Sequence, residues 1–366
     1  MAHAIKLNRS APNLTTSQIH YPLGDALPPL GETLEVAPGV RWLRMGLPFA
    51  LDHINLWLLR DAIEGVEGWT IIDCGISNAE TEAAWETIFA TQLSGLPVLR
   101  VIVTHMHPDH VGLAKWLCER WQAPLWMSMA DYLTAQWLSN KEGGAAIGAK
   151  MGGGGSADHL ERHGLNSTAD LALIRGRSDY YSRMVPGMPP CYRRLMEGDV
   201  IPIGGQLWQV QMGYGHAPEH ATLYCAKLGV FISGDMVLPR ISTNISVYDA
   251  DPDADPLGLF LRSLALFAQL PADTLVLPSH GKPFTGLHVR IQQLQEHHVD
   301  RLADTINACH EPITARDLVP ILFKRSLDTH QMTFAMGEAI AHLNHLWRLG
   351  KLTRQASAGV WQFSVC

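Results

Sequence analysis

The sequence predicts an α/β (α+β) protein in which two β-rich regions flank a helical insert and a small helical domain follows. Short runs of β-branched and aromatic residues occur between residues 40 and 103 and again between 199 and 277. Residues 127 to about 197 carry mostly helical spacing, with the apolar positions three or four apart. The tail from residue 291 contains helical patterns followed by two short strand patterns. We therefore expect one β-rich body with helices outside it.

The composition describes a globular protein. The chain has 366 residues, of which 47% are hydrophobic and 17% are charged, and its net charge is −7. An acidic balance argues against general nucleic-acid affinity, which needs a basic surface. No apolar run approaches the roughly 18 residues of a membrane span, and the first residues do not resemble a signal peptide. The six cysteines are scattered and contain no C-x-x-C pair, which predicts a reduced, cytoplasmic protein.

The first part of the chain is predicted to form an arm, followed by strands and one helix. Residues 1–37 are rich in Pro, Gly and Thr and predict an extended arm over the surface. Strands are predicted at 53–59 and 69–73, a helix at 79–93 and a strand at 99–103.

The insert and the tail are both predicted to be helical. The run Met151-Gly-Gly-Gly-Gly-Ser156 interrupts the helical pattern of the insert. It is interpreted either as the hinge of a lid over the site or as a passive flexible loop. In the tail, helices are predicted at 289–308, from a capping-box pattern at Thr314, and at 333–348, before a hairpin. Three helices and a hairpin form a winged-helix outline. The third helix is poorly basic, so we expect it to pack or to form a homodimer rather than to read DNA.

A cluster of metal-ligand residues stands directly after the predicted strand at 99–103. It reads Thr104-His-Met-His-Pro-Asp-His110 and contains the pattern H-x-H-x-D-H. Imidazole and carboxylate without thiolate suit zinc or a similar divalent ion. His105 and His107 can point side by side, while Asp109 and His110 can reach a second ion. The alternative is a solvated His-rich turn, which the preceding Val/Ile run disfavours.

Four further ligand-type residues follow predicted strands. His216 lies in a Gly/Pro-punctuated turn, and Asp73, Asp235 and His280 each follow an apolar run. Each signal is weak alone, because a polar residue after a strand is common. Together with the cluster at 105–110 they indicate one centre.

At these residues the chain resembles the metallo-β-lactamase-fold hydrolase superfamily, over roughly residues 38–290. The resemblance implies an αββα sandwich with a helical insert, followed by a winged-helix-like domain at 291–366. It also implies that His105, His107 and His216 hold one metal, that Asp109, His110 and His280 hold a second, and that Asp235 bridges them. Asp73 would orient a ligand from outside, and His220 would not bind metal.

Departures within the superfamily narrow the expected chemistry. The bridging Asp235 is generally missing from true β-lactamases of this fold, and the oxygen-reducing di-iron members have Glu where this chain has His107. The set instead resembles glyoxalase-II-like thioesterases, lactonases and some RNA-processing nucleases. The tail resembles that of relatives of lactamase-β-like protein 2.

The predicted function is hydrolysis of a small-molecule ester or thioester, such as an acyl-coenzyme A or a lactone. Two divalent ions, with zinc expected and iron or manganese as alternatives, would lower the pKa of a shared water toward about 7. The bridging hydroxide would attack an acyl carbon, and Asp109 would help the leaving group depart. The alternatives are a phosphodiesterase or ribonuclease on the same centre, and a non-catalytic winged-helix regulator.

Residues that contact the substrate are the least defined by the sequence. Tyr214 and Tyr248 lie near ligand-bearing loops and are candidate pocket residues. The insert is locally basic, which predicts either an anion clamp or solvated helix faces; its arginines are Arg162, Arg175, Arg177, Arg183, Arg193 and Arg194. The acidic loop from Asp249 lacks the Gly and Glu of a calcium-binding EF-hand.

Overall fold

Two β-sheets form the centre of the protein. The computed structural model describes residues 19–140 and 153–366. The first sheet contains, in spatial order, β1 (Leu34–Ala37), β2 (Val40–Gly46), β3 (His53–Ile63), β4 (Val66–Ile72), β5 (Val98–Ile102), β6 (Leu125–Ser128) and β7 (Arg193–Leu195). The second contains, in spatial order, β12 (Leu275–Pro278), β11 (Val230–Gly234), β10 (His220–Cys225), β9 (Gln206–Gly213) and β8 (Val200–Ile203).

Helices cover both outer faces of this pair of sheets. Those before the second sheet are α1 (Ala79–Thr91), α2 (Pro108–Val111), α3 (Ala114–Trp121), α4 (Met129–Ser139), α5 (Gly153–Arg162), α6 (Thr168–Arg175) and α7 (Tyr180–Met184). The later ones are α8 (Pro256–Phe267), α9 (Leu287–Ala308), α10 (Ala315–Leu322) and α11 (Thr329–Arg348), followed by a hairpin of β13 (Leu352–Ser357) and β14 (Val360–Val365).

The alternation of side chains along β3 explains the layering. Leu56 and Leu58 belong to a buried cluster shared with α1, α3 and α4, whereas Trp57 and Leu59 belong to the cluster between the two sheets. Successive side chains of a strand point to opposite faces, so a strand that is apolar at every position must be covered on both. A third cluster joins the second sheet to α8, α9 and α11. The predicted αββα sandwich is confirmed.

Parallel pairing brings the ends of several strands to a common edge. Strands β4, β5, β6 and β7 run parallel to one another, as do β11 and β12. Their carboxyl ends therefore meet at the same edge of each sheet, which is where open α/β sheets usually place their ligand sites.

The insert and the arm differ from the sequence-based expectation in detail. Gly153, Gly154 and Gly155 form the first turn of α5 rather than a hinge or loop, because Ala157 and Leu160 bury one face of that helix. Residues 151 and 152 lie outside the described residues. Strand β1 falls within the range predicted as an arm, and residues 1–18 of that arm are also outside the described part.

The tail contains the three helices and the hairpin that the sequence predicts. The capping box at Thr314 is present, and a second one at Asp328 and Gln331 starts α11 four residues earlier than expected. Residues 335–346 of α11 are buried throughout, in the cluster shared with the second sheet. Most of the third helix therefore packs inside the protein.

Two further observations concern the chain as a whole. All six cysteines are free thiols, four of them buried. In the described residues no helix combines the length and the apolar character needed to cross a bilayer.

A buried ion pair links the two sheets away from the strand ends that carry the ligands. Arg100 of β5 contacts Asp61 of β3 at 2.6 Å and donates to the carbonyl of Pro202 at 2.7 Å, while the N–H of Gly204 donates to Asp61 at 3.1 Å. Both charged residues are almost fully buried. Asp61→Ala would leave the guanidinium buried and unpaired, so we expect the free energy of unfolding in urea to fall by about 3–5 kcal/mol.

A double variant tests the cause of that loss. Asp61→Ala combined with Arg100→Met removes both charges, and we expect it to recover at least about half of the lost stability. Glu67→Ala, at an exposed carboxylate that pairs with Arg60, should change stability by less than about 0.5 kcal/mol. A double variant less stable than Asp61→Ala would show that the unpaired charge is not the cause.

Candidate metal centre

The candidate site lies at the edge of the sandwich where the strands end. Asp73 directly follows β4, and the segment from Thr104 to His110 follows β5. From the second sheet, His216 follows β9, Asp235 follows β11 and His280 follows β12. Segments more than 200 residues apart in the chain thus converge on one small volume.

The structure brings all seven predicted ligands together, in two groups. Within each group the ligand atoms lie within 4.8 Å of one another; the groups are His105, His107, His216 and Asp235, and Asp109, His110 and His280. Asp235 faces both. Its Oδ2 lies 3.2 Å from Nε2 of His216 and 3.5 Å from Nε2 of His110, and its Oδ1 lies 3.4 Å from Nε2 of His280.

In four of the histidines, Nδ1, the ring nitrogen that faces away from the centre, is within hydrogen-bond distance of an oxygen. In each case Nδ1 lies within 3.0 Å of an oxygen; the pairs are His105 with the hydroxyl of Thr104, His110 with Asp73, His216 with the carbonyl of Asn244, and His280 with the carbonyl of His53. An Nδ1–H donated outward leaves the Nε2 lone pair free toward the centre. This is the usual arrangement of metal-binding histidines.

Asp73 lies behind the predicted ligands. Its carboxylate accepts the backbone N–H of Thr104 at 2.7 Å and the hydroxyl of the same residue at 2.9 Å, and its Oδ2 lies 2.8 Å from Nδ1 of His110. Its own backbone is left-handed, with φ of 63°, a conformation that Asp tolerates better than most residues. Asp73 therefore orients His110 and the turn that carries the cluster.

Electrostatics differ between the two groups. Burial and neighbouring imidazoles hold the pKa values of His105 and His107 well below the usual range, so both are neutral, which is the ligand form. Burial also disfavours charge on His110, but carboxylates including Asp109 and Asp235 outweigh it and raise the pKa of His110 well above the usual range. A metal bound by the second group must displace that proton, so its binding is expected to weaken as the pH falls.

Asp131 was missed by the sequence analysis. Its Oδ1 accepts the N–H of Met106 at 2.9 Å, inside the H-x-H segment, and its Oδ2 accepts the N–H of Glu219 at 2.6 Å, in the turn that carries His216. Burial raises its pKa to about 6 despite these hydrogen bonds. The sequence signal is Ser128-x-x-Asp131, a pattern typical of a helix start. It predicts a cap at the N-terminus of α4 and does not predict hydrogen bonds to two ligand-bearing loops.

The insert also supports the cluster. The hydroxyl of Tyr181, in α7, donates to the carbonyl of Met106 at 2.5 Å. The ring of this tyrosine packs against the outer cluster of the first sheet.

His220 stands beside the two groups without joining either. Its Nε2 accepts the backbone N–H of Asp235 at 3.1 Å, and its ring stacks on His105 with centroids 4.5 Å apart. A Cβ at Gly234 would come within 2.2 Å of this ring, so only glycine fits there. His220 thus positions Asp235 and His105 by packing.

The two tyrosines predicted as pocket residues have different surroundings. Tyr214 donates its backbone N–H to Ser263 and packs its side chain against the cluster between the sheets. Tyr248 leaves 47% of its surface exposed, in the loop after β11. Cys74 is buried, and burial raises the pKa of its thiol well above the usual range, which makes it a structural residue.

Known proteins share this sequence and fold. Residues 51–280 match the family model of the metallo-β-lactamase superfamily, and residues 302–366 match that of the metallo-β-lactamase-like C-terminal domain. A "probable metallo-hydrolase YqjP" of Bacillus subtilis is 25% identical over 83% of this chain and 91% of that protein.

Solved structures extend the likeness to the whole chain. A crystal structure of a β-lactamase domain protein from Burkholderia ambifaria is 53% identical and superimposes with a TM-score of 0.89, covering 95% of this chain and 98% of that one. A metallo-β-lactamase family protein from Thermus thermophilus is 26% identical with a TM-score of 0.74, covering 91% of this chain and 100% of that one. With a family model that matches well over half of its length, this chain belongs to the metallo-β-lactamase superfamily, whose members are metal-dependent hydrolases.

Proposed function

We propose that this protein is a dinuclear-metal-dependent hydrolase that cleaves an ester or thioester bond. The observation that supports it best is the position of Asp235. This carboxylate lies between two complete ligand groups and directs one oxygen toward each of His216 and His280. A residue so placed can bind two ions at once.

The chemistry of the donors fits such a pair of ions. Five imidazoles and two carboxylates form the two groups, with no thiolate among them, a set that suits zinc and also accommodates iron or manganese. Nε2 of His110 and Oδ1 of Asp235 are buried without a hydrogen-bond partner among the described residues. Buried polar atoms are normally satisfied, and bound metal would satisfy both.

The residues of the centre have different proposed roles in hydrolysis. Bound divalent metal supplies a water whose pKa is lowered toward about 7, so the protein needs no nucleophilic serine. Asp109 is 19% exposed, the most accessible of the ligand carboxylates, and its Oδ2 lies 3.5 Å from His280. Asp109 would accept the proton that the attacking water releases and pass it to the leaving group. Burial disfavours charge on Asp235, but His280 and His110 outweigh it and hold the pKa of this carboxyl well below the usual range, so it stays ionised.

An aromatic wall near Asp109 supports an apolar acyl group in the substrate. His330, at the start of α11, stacks on Phe49 with centroids 6.0 Å apart and contacts Tyr180 and Phe334. Tyr181, the neighbour of Tyr180 in α7, donates to the carbonyl of Met106 between His105 and His107, which supports a position of this wall close to the centre. Phe49 and Phe334 are 36% and 45% exposed. Such a surface suits an acyl chain better than a polyanion.

Metal analysis combined with a substrate panel tests the proposal. The purified protein, loaded with zinc, manganese or iron, is assayed with a thioester, a lactone, a p-nitrophenyl ester and bis(p-nitrophenyl) phosphate. We expect two metal ions per chain and hydrolysis of at least one of the first three. Hydrolysis of the phosphodiester alone would replace the proposal with a phosphodiesterase, and metal binding without hydrolysis of any of the four would favour a regulator.

A further inference from the structure

A cleft of 680 Å³ opens beside the candidate centre, and His280 forms part of its wall. His53, whose carbonyl holds the ring of His280, lines it as well. Arg44, Arg240 and Lys282 also line it, with Asp25 as the lining carboxylate. These cations come from strand β2, from the loop after β11 and from the segment after His280, so the sequence does not group them.

The charges on this wall are only partly neutralised. Lys282 pairs with Asp25 at 2.9 Å, and Asp25 is itself fully exposed. Arg44 lies 3.9 Å from Asp52, which is 79% exposed. Arg240 is exposed and makes no ion pair within residues 19–140 and 153–366. The chain has a net charge of −7, so this wall is a local region of positive charge in an acidic protein. A concave wall strengthens the electrostatic attraction that an anion experiences inside the cleft.

The arginines of the insert do not supply an alternative clamp at this position. Arg175 pairs with Asp158 and Glu161 at 2.9 Å, and Arg183 pairs with Asp179 at 3.1 Å. Arg193 lies over the ring of Trp126 and lines a different pocket. None of the insert arginines lines the cleft beside His280. For Arg175 and Arg183, the interpretation as solvated helix faces therefore fits better than an anion clamp.

We propose that this cleft binds a negatively charged group of the substrate, a carboxylate or a phosphate, through Arg44, Arg240 and Lys282. This inference rests on the proposed function for its reacting bond. His280 belongs both to the wall of the cleft and to the second ligand group, so an anion held there places the adjoining part of the same molecule at the centre. The substrate is then an anionic ester or thioester.

Matched thioesters test this selectivity. S-acetyl-N-acetylcysteamine is neutral, S-acetyl-N-acetylcysteine carries a carboxylate on the leaving group, S-succinyl-N-acetylcysteamine carries one on the acyl group, and acetyl-coenzyme A carries phosphates. For Arg240→Gln and Lys282→Gln we expect the ratio of kcat/KM for an anionic substrate to that for the neutral one to fall roughly 5- to 20-fold. Added salt should lower the same ratio in the unmodified protein and lower it less in the variants.

The matched control is Arg120→Gln, which removes an exposed arginine of α3 that pairs with Glu86 of α1. This variant should leave every ratio within about twofold. The anionic substrate whose ratio falls identifies the group that the cleft holds. If the ratios of all three anionic substrates stay unchanged in both cleft variants, the proposal is overturned.

A binding measurement separates this inference from the proposed function. Succinate, a dianion without a scissile bond, is titrated into the metal-loaded protein and followed by ligand-observed NMR. We expect its Kd to rise roughly 5- to 20-fold in Arg240→Gln and to stay unchanged in Arg120→Gln. If no ester is hydrolysed but this shift occurs, the anion site stands and the proposed reaction fails. An unchanged Kd in Arg240→Gln would overturn the anion site whatever the substrate panel shows.

Discussion

Asp235→Ala is expected to reduce the bound metal from two ions per chain to at most one and to lower kcat/KM for ester or thioester hydrolysis at least ~1000-fold. Asp235 is the carboxylate that faces both ligand groups, with oxygens 3.2 Å from His216 and 3.4 Å from His280. Without it the two groups share no ligand that can reach both. Metal analysis and steady-state kinetics on the same samples measure both effects.

Controls separate this result from a general loss of structure. Asp273→Ala removes an exposed carboxylate from the turn before β12 and should leave metal content and rate unchanged. Circular dichroism of Asp235→Ala should match that of the parent protein, since the two sheets keep their cores. A variant that retained two ions and a rate near that of the parent would refute the bridging role of Asp235.

Asp131→Ala is expected to lower kcat/KM about 100-fold and the free energy of unfolding by about 2–4 kcal/mol, although residue 131 is not a predicted ligand. The variant leaves the N–H groups of Met106 and Glu219 buried without their acceptors. These two N–H groups belong to the loops that carry His105, His107 and His216, so the geometry of the first ligand group should loosen. Metal affinity, kinetics and urea unfolding test the three consequences.

Two further variants isolate the tie between the loops from the helix cap. Ser128→Ala removes the side chain that accepts the N–H of Asp131 at the start of α4, and it should cost about 1 kcal/mol with little change in rate. Asp131→Asn keeps the shape but offers one oxygen where the structure uses two, so it should resemble Asp131→Ala rather than the parent. If Asp131→Ala behaved like Ser128→Ala, Asp131 would be a helix-capping residue only.

The residues proposed as ligands could be identified in the sequence because each has a local signal. A hydrophobic run followed within a few residues by His or Asp predicts a polar side chain at the end of a buried strand, and five such places occur in this chain. Parallel strands in a sheet share an edge, so residues that follow β4 and β5, or β11 and β12, must lie near each other. The three tail helices and the hairpin were likewise predicted from periodicity, and the capping box at Thr314 is present.

Other features had no such signal or had a misleading one. Glycine is a poor helix former, yet Gly153 to Gly155 are helical because the buried face of α5 outweighs that preference. Asp131 looks like a capping residue of α4, and only the packing of two distant loops against it shows what its two oxygens accept. Tyr214 and Tyr248 stay predictions as pocket residues, because nearness in sequence to a ligand-bearing loop does not determine where a side chain points.

The sequence by itself determined the fold class, the seven residues proposed as ligands and the order of the helices and strands, because hydrophobic periodicity and strand-end polar residues are local properties of the chain. The tertiary structure decided which further residues meet: Asp131 with the loops of Met106 and Glu219, and Arg44 with Arg240 and Lys282 around one cleft. Those contacts join positions up to 238 residues apart. They depend on how the two sheets pack against each other, which no local pattern in the sequence encodes.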